Sequence, residues 1–201
     1  MAHILTSFAC VAIIPLASAI DAQFKQVTVT EDDEDTQSVR SIVPSSDEKL
    51  TWTEQSESEL GEGSHGNVFE ANLTPKIGEP RALKKQEYWF DDSLVDFGDA
   101  KRETRIWQKL SSLRNPGIVH LHNAYYDTHN VYFEMDAAVG SIEDVMIKQP
   151  DKLNSVVDSL RLFGGMVDGL QAMHDVGIVH RDIKSDNCMI TFNYPEKGVR
   201  L

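Results

Sequence analysis

With 201 residues, 41% of them hydrophobic, the chain is long enough for one modest globular domain with tails. Its 19 Lys and Arg against 32 Asp and Glu give a formal charge of −13, which argues against nucleic acid as a partner, since phosphate backbones are gripped by clustered cations. The only cysteines, Cys10 and Cys188, cannot form a disulfide framework.

The first twenty residues carry no charged side chain, and the apolar stretch Ile4 to Leu16 ends in the small triplet Ala17-Ser18-Ala19. That is the pattern of a signal peptide cleaved after Ala19, so residues 1–19 are read as a leader and the protein as secreted or resident in the secretory lumen. Pro15 and the shortness of the run argue against a stable membrane span, which needs about 20 apolar residues. Residues 20–50, with the run Glu31-Asp32-Asp33-Glu34-Asp35 and few large apolar groups, read as an acidic disordered linker.

From Thr51 onward, short strand-like segments punctuated by glycine give way after residue 92 to a segment with helical spacing in Ile106, Leu110 and Leu113. On this reading Ile106 and Leu110 face the sheet. Val119 to Asp127 and Asn130 to Asp136 are rich in Tyr, Val and Phe around a tight connection, and predict a hairpin. Ser141 to Lys148 predicts a short helix. Asn154 to Val176 predicts a long one, because Val156, Leu160, Phe163, Val167, Leu170 and Met173 recur at steps of three or four, although Gly164 and Gly165 weaken it. A polar loop and a last apolar segment, Cys188 to Phe192, follow.

Four groups of residues carry chemistry. Leu60-Gly61-Glu62-Gly63-Ser64-His65-Gly66-Asn67-Val68 places three glycines in a turn between strands, where backbone can approach a polyphosphate with no Cβ in the way. In Arg81-Ala82-Leu83-Lys84 the strand period puts Ala82 and Lys84 on one face, so that the ammonium can meet phosphate; the adjacent Lys85 reads as a surface lysine. Glu103 lies on the first long helix as a candidate partner for Lys84. The segment Ile178-Val179-His180-Arg181-Asp182-Ile183-Lys184-Ser185-Asp186-Asn187 sets carboxylate, ammonium and amide at fixed offsets in a polar loop. Phosphoryl transfer needs a carboxylate for the attacking hydroxyl, a cation for the moving phosphoryl group, and an oxygen ligand for magnesium.

This loop resembles the His-Arg-Asp catalytic loop of eukaryotic-type protein kinases, and the four groups occur in that family's order. The resemblance implies an α+β fold: a kinase small lobe over residues 51–136, with a five-stranded antiparallel sheet and one long helix, then the hinge and the start of a helical large lobe over 137–201. It implies ATP and Mg2+ as cofactors and a protein substrate bearing a Ser or Thr hydroxyl, because Lys184 stands two positions after Asp182 as in the serine/threonine branch. Asp182 is the implied catalytic base, Lys184 the γ-phosphate contact and Asn187 a magnesium ligand. Lys84, paired with Glu103, is the implied α/β-phosphate lysine. Met135 is the implied gatekeeper, Asp136 to Ala138 the hinge that binds adenine through its backbone, and Val68 and Ala82 the packing surface for the base.

In the family, the strand that follows this loop leads into Asp-Phe-Gly, whose aspartate is the main magnesium ligand. The sequence ends at Leu201 before any such motif, so the 201 residues are expected to be a poor catalyst as they stand. The alternative expectation is a secreted, non-catalytic half-kinase that serves as a nucleotide- or partner-binding module.

Overall fold

The computed structural model describes residues 24–34, 37–45, 47–55, 59–63, 66–76, 80–88, 97–153, 155–190 and 199–200. The expected leader, 1–19, lies outside them. The chain divides into two compact units, one drawn from Ala17–Thr104 and Leu121–Ala137, the other including Arg105–His120 and Ala138–Leu201.

The first unit contains the expected five-stranded antiparallel sheet. Its strands are β5 (Glu59–Gly63), β6 (Gly66–Thr74), β7 (Arg81–Glu87), β8 (Leu121–Tyr126) and β9 (Asn130–Asp136), and it includes the helix α1 (Phe97–Ser112) as far as Thr104. β8 and β9 form the expected hairpin. Aromatic and β-branched residues mark β6, β8 and β9, as suits a pleated surface, whereas β5 and β7 contain none.

Residues 24–53 depart from the expected linker. They form β1 (Phe24–Gln26), β2 (Thr30–Glu34), β3 (Gln37–Ser45) and β4 (Glu48–Thr53), and extend the sheet in the order β1-β8-β9-β7-β6-β4-β3-β2, with β5 also paired to β6. Glu31 to Glu34 of the acidic run thus lie on β2, the last strand in that order. A flat row of those eight strands would hold β1 and β2 about 34 Å apart at the usual strand spacing. Only residues 27–29 join them, and such a link reaches about 14 Å at most. The sheet therefore curls until its two ends approach.

Inside the curl lies an apolar core. Ile42, Leu50, Leu83 and Tyr125 are fully buried, and Trp52, Phe69, Ala71 and Tyr132 nearly so, with Val27, Val29 and Leu73 packed against them. Of the sparse hydrophobic residues in the presumed linker, Ile42 and Leu50 enter this core and Val27 and Val29 pack against it, whereas Val43 is exposed.

In the second unit, α2 (Ile142–Lys148) starts at Ser141, whose hydroxyl accepts from the Asp144 amide while the Asp144 carboxylate accepts from the Ser141 amide. α3 (Val156–Asp175) is capped by Ser155. It ends in a Schellman motif: Gly177, at φ +76°, donates to His174 O and Ile178 donates to Met173 O, so the chain turns toward the polar loop. Two short pairings, β10 (Gly140–Ser141) with β11 (Met189–Ile190) and β11 with β12 (Val199–Arg200), close the described part of this unit.

The expected stripe on α3 is displaced around the helix. Leu162, Gly169 and Met173 are buried, and Met166 and Leu170 are partly so, whereas Val156, Leu160, Phe163 and Val167 are exposed. Ile106 and Leu110 pack in the core of this second unit with Ile118, Val145, Leu162, Met173 and Ile178. Gly165 and Gly169 seat the loop after α1, since a Cβ added at Gly117 would stand 2.7 Å from both Gly165 O and Gly169 N.

Candidate functional site

Strand register places the candidate nucleotide residues of the first unit on one face. Val68 lies opposite Lys84, Ala82 opposite both Glu70 and Met135, and Lys84 opposite Phe133. Directly opposed residues point the same way and alternate residues share a face, so Val68, Ala82, Lys84 and Met135 form one surface. The other face carries Phe69, Leu83 and Tyr132 into the curled core.

Leu60, Gly61, Glu62 and Gly63 lie on β5, and Gly66, Asn67 and Val68 on β6; Ser64 and His65 lie outside the described residues. The Asn67 amide donates to Glu59 Oε1 at 2.8 Å and ties the two strands. The glycines differ in what they require. Gly66 has φ +113°, and a Cβ there would meet Lys85 O at 2.0 Å, whereas one at Gly61 would meet nothing within 4 Å. The fold itself demands Gly66, while the bare backbone at Gly61 leaves room for a ligand.

Lys84 Nζ donates to Glu103 Oε1 at 3.3 Å and sits 5.5 Å from the centre of the Phe133 ring. The two side chains of the ion pair are only 14% and 11% exposed, so each charge depends on the other. This is the pairing expected from the sequence. Lys85 is not a free surface lysine: it is largely buried and bound to both carboxylate oxygens of Glu54.

Sequence reasoning missed the polar end of the curled core. Arg81 reaches Glu134 and Asp136, both at 3.5 Å, and contacts His122, whose Nε2 lies 2.6 Å from Asp136 Oδ1. Glu134, 2% exposed, accepts from Asn123 at 2.8 Å and from Tyr125 Oη at 2.9 Å. Burial first, and the Glu134 charge next, push the Tyr125 phenol far above its ordinary range, so it stays a donor. Asp136 thus turns its side chain toward Arg81 and His122. The hidden signal was register: nothing in the sequence says that Arg81 opposes Asp136. Ala138 belongs to the second unit.

In that unit, Ile178, Cys188 and Ile190 anchor the flanks of the polar loop in the α3 core, and the Cys188 thiol is pushed upward by burial. Between them the loop brings its expected residues together. Asn187 Nδ2 donates to Asp182 O at 2.8 Å and to Asp182 Oδ2 at 2.9 Å. Lys184 Nζ lies 3.9 Å from Asp182 Oδ2 and 3.4 Å from Asp186 Oδ2. Arg181 adopts φ +68°, a left-handed turn that non-glycine residues seldom adopt, and so redirects the chain just before Asp182. His180 is 4% exposed, and burial depresses its pKa below the ordinary 6.5 against the opposing pull of Asp182.

Asn187 commits its amide nitrogen to Asp182, so its own Oδ1 remains as an acceptor of the oxygen type that magnesium takes. Asn187 would hold the ion, which when bound supplies a counter-charge to the phosphates.

The family described as protein kinase domain matches residues 54–201, well over half of the chain. The chain is 30% identical over 134 residues to the serine/threonine-protein kinase fray1 of Dictyostelium discoideum, covering 65% of this chain and 22% of that protein. It is 32% identical over 134 residues to an Aurora kinase of Eremothecium gossypii, covering 67% and 35%, and 30% identical over 138 residues to the serine/threonine-protein kinase STK11 of Rattus norvegicus, covering 67% and 30%. The chain thus spans between about a fifth and about a third of the length of these relatives. Both the family match and the α+β fold place the chain in one group: it belongs to the protein kinase family.

Proposed function

We propose that the protein is an ATP-dependent serine/threonine kinase that moves the γ-phosphoryl group to a protein hydroxyl. The observation that carries this reading is the loop geometry, in which Asn187 binds the Asp182 carboxylate while Lys184 stands at its edge. Asp182 orients the substrate hydroxyl and accepts its proton as the oxygen attacks the γ-phosphorus. Lys184 offsets charge on the moving group.

Lys84, held by Glu103, grips the α- and β-phosphates, with the flap of residues 60–68 above them. Val68 and Ala82 pack on the base, Met135 is the gatekeeper, and the backbone of Asp136 to Ala138 bonds to adenine. The match to serine/threonine kinases at about 30% identity supports a Ser or Thr hydroxyl as the acceptor. The leader-like residues 1–19 support passage through the secretory route; cleavage after Ala19 in a secreting host is the check.

The experiment is a titration of ATP at increasing magnesium. The wild-type chain binds ATP more tightly as magnesium rises. Asn187→Ala flattens that dependence, and Lys84→Met weakens binding at every magnesium level. An ATP affinity indifferent to both substitutions would remove the reading.

A further inference from the structure

We propose that Phe24 is a positioning residue: the segment 24–27 straps the start of α1 to the sheet and thereby holds Glu103 against Lys84. The role assigned to that ion pair rests on the kinase reading above.

β1 joins β8 in parallel, with Phe24 opposite Ala124, Lys25 opposite Tyr125 and Gln26 opposite Tyr126, and the Val27 amide donates to Tyr126 O at 2.9 Å. This pairing brings Phe24 into an aromatic cluster. Its ring stacks on Tyr126 at 4.9 Å and meets Phe97 at 5.5 Å, while Phe97 meets Tyr88 and Tyr126 at 5.1 Å each. Tyr126 belongs to the sheet, and Tyr88 is tied to it by its amide, which donates to His129 O at 2.8 Å, and by its hydroxyl, which donates to Asp127 O. Phe97, by contrast, is the first residue of α1. Phe24 therefore lies between sheet and helix, touching both.

The strap has leverage because the ion pair has little slack. Glu103 follows Phe97 by six residues, about 9 Å along the helix axis, so a tilt at the first turn is felt at the carboxylate. At 3.3 Å the Lys84 to Glu103 contact is already long for a hydrogen bond, and a further shift of roughly 1 Å breaks it. Phe24 also lies before the 54–201 family match, so the device belongs to this chain's own N-terminal strands.

The test uses the full chain and compares Phe24→Ala, Phe24→Leu and Phe24→Tyr. Amide exchange at residues 97–104 should speed up at least tenfold in Phe24→Ala, with β6 and β7 unchanged, and Phe24→Tyr should restore it. A double-mutant cycle of Lys84→Met and Glu103→Gln, read by urea unfolding, should show coupling with Phe24 present and none in the Phe24→Ala variant. ATP affinity should fall about fivefold for Phe24→Ala, and less than twofold when Glu103→Gln is already present. Unchanged exchange in α1, or coupling that survives Phe24→Ala, overturns the proposal. A wild-type chain that binds no ATP would count against the kinase reading alone, because exchange and coupling still decide the strap.

Discussion

Lys84 and Glu103, nineteen positions apart, meet as an ion pair 3.3 Å long with both side chains nearly buried. Neither charge is well solvated, so removing one strands the other. Lys84→Met should lower the unfolding free energy by about 1–3 kcal/mol, the cost of an unsatisfied buried polar group. Adding Glu103→Gln should recover part of it. Urea unfolding of the single and double variants reads the coupling; strictly additive losses would show that the pair contributes nothing.

The flap glycines separate folding from ligand approach. Gly66→Ala forces a side chain onto a backbone at φ +113° and into Lys85 O, and should cost at least about 1–3 kcal/mol. Gly61→Ala has open space and should change stability by less than about 0.5 kcal/mol. Its effect belongs in ATP affinity. Melting curves paired with ATP titrations would reveal the split, and equal stability losses at the two positions would contradict it.

Residues 24–53 are part of the folded unit. Ile42 and Leu50 are both 0% exposed, and each truncation to Ala should cost about 2–5 kcal/mol, as for other core aliphatics. If instead both variants melt as the wild type does, the N-terminal strands carry no stability.

Acidification should weaken the fold through His180. Burial holds its folded pKa below the ordinary 6.5, so between those two values the unfolded chain binds a proton that the folded chain does not. Stability from this residue is whole above pH 6.5, falls as pH drops through that window, and falls no further below the folded pKa. Asp127 and Asp144, whose pKa values are lowered, act only below the ordinary 3.8. His180→Gln should flatten the slope of unfolding free energy between pH 7 and pH 5, and an unaltered slope would assign the effect elsewhere.

The β8–β9 hairpin, α2 and α3 were legible because periods of two and 3.6 are written in neighbouring residues. The polar loop of residues 178–187 was legible because its spacing is local. What escaped depends on partners far along the chain. Ile42, Leu50 and Trp52 look too sparse for a core until the sheet curls around them. The period of α1 marks Ile106 and Leu110 as buried but cannot name what buries them. Period also failed to separate two adjoining stripes on α3, of which the core takes Leu162, Met166, Gly169 and Met173. The Arg81, His122, Glu134 and Asp136 cluster depends on strand register, which composition does not encode.

In the proposed reaction Asp182 promotes transfer of phosphate from ATP to a Ser or Thr hydroxyl. Its most direct test is a single-turnover assay with protein in excess over γ-labelled ATP and magnesium, using a Ser/Thr peptide mixture and comparing wild type with Asp182→Asn, so that even slow chemistry registers. The wild type should give labelled phosphoserine or phosphothreonine, and Asp182→Asn a rate about 10²–10⁴-fold lower, the usual contribution of a general base. Equal rates in the two proteins, or tight ATP binding with no transfer by either, would contradict it, and the second outcome would mark a nucleotide-binding module.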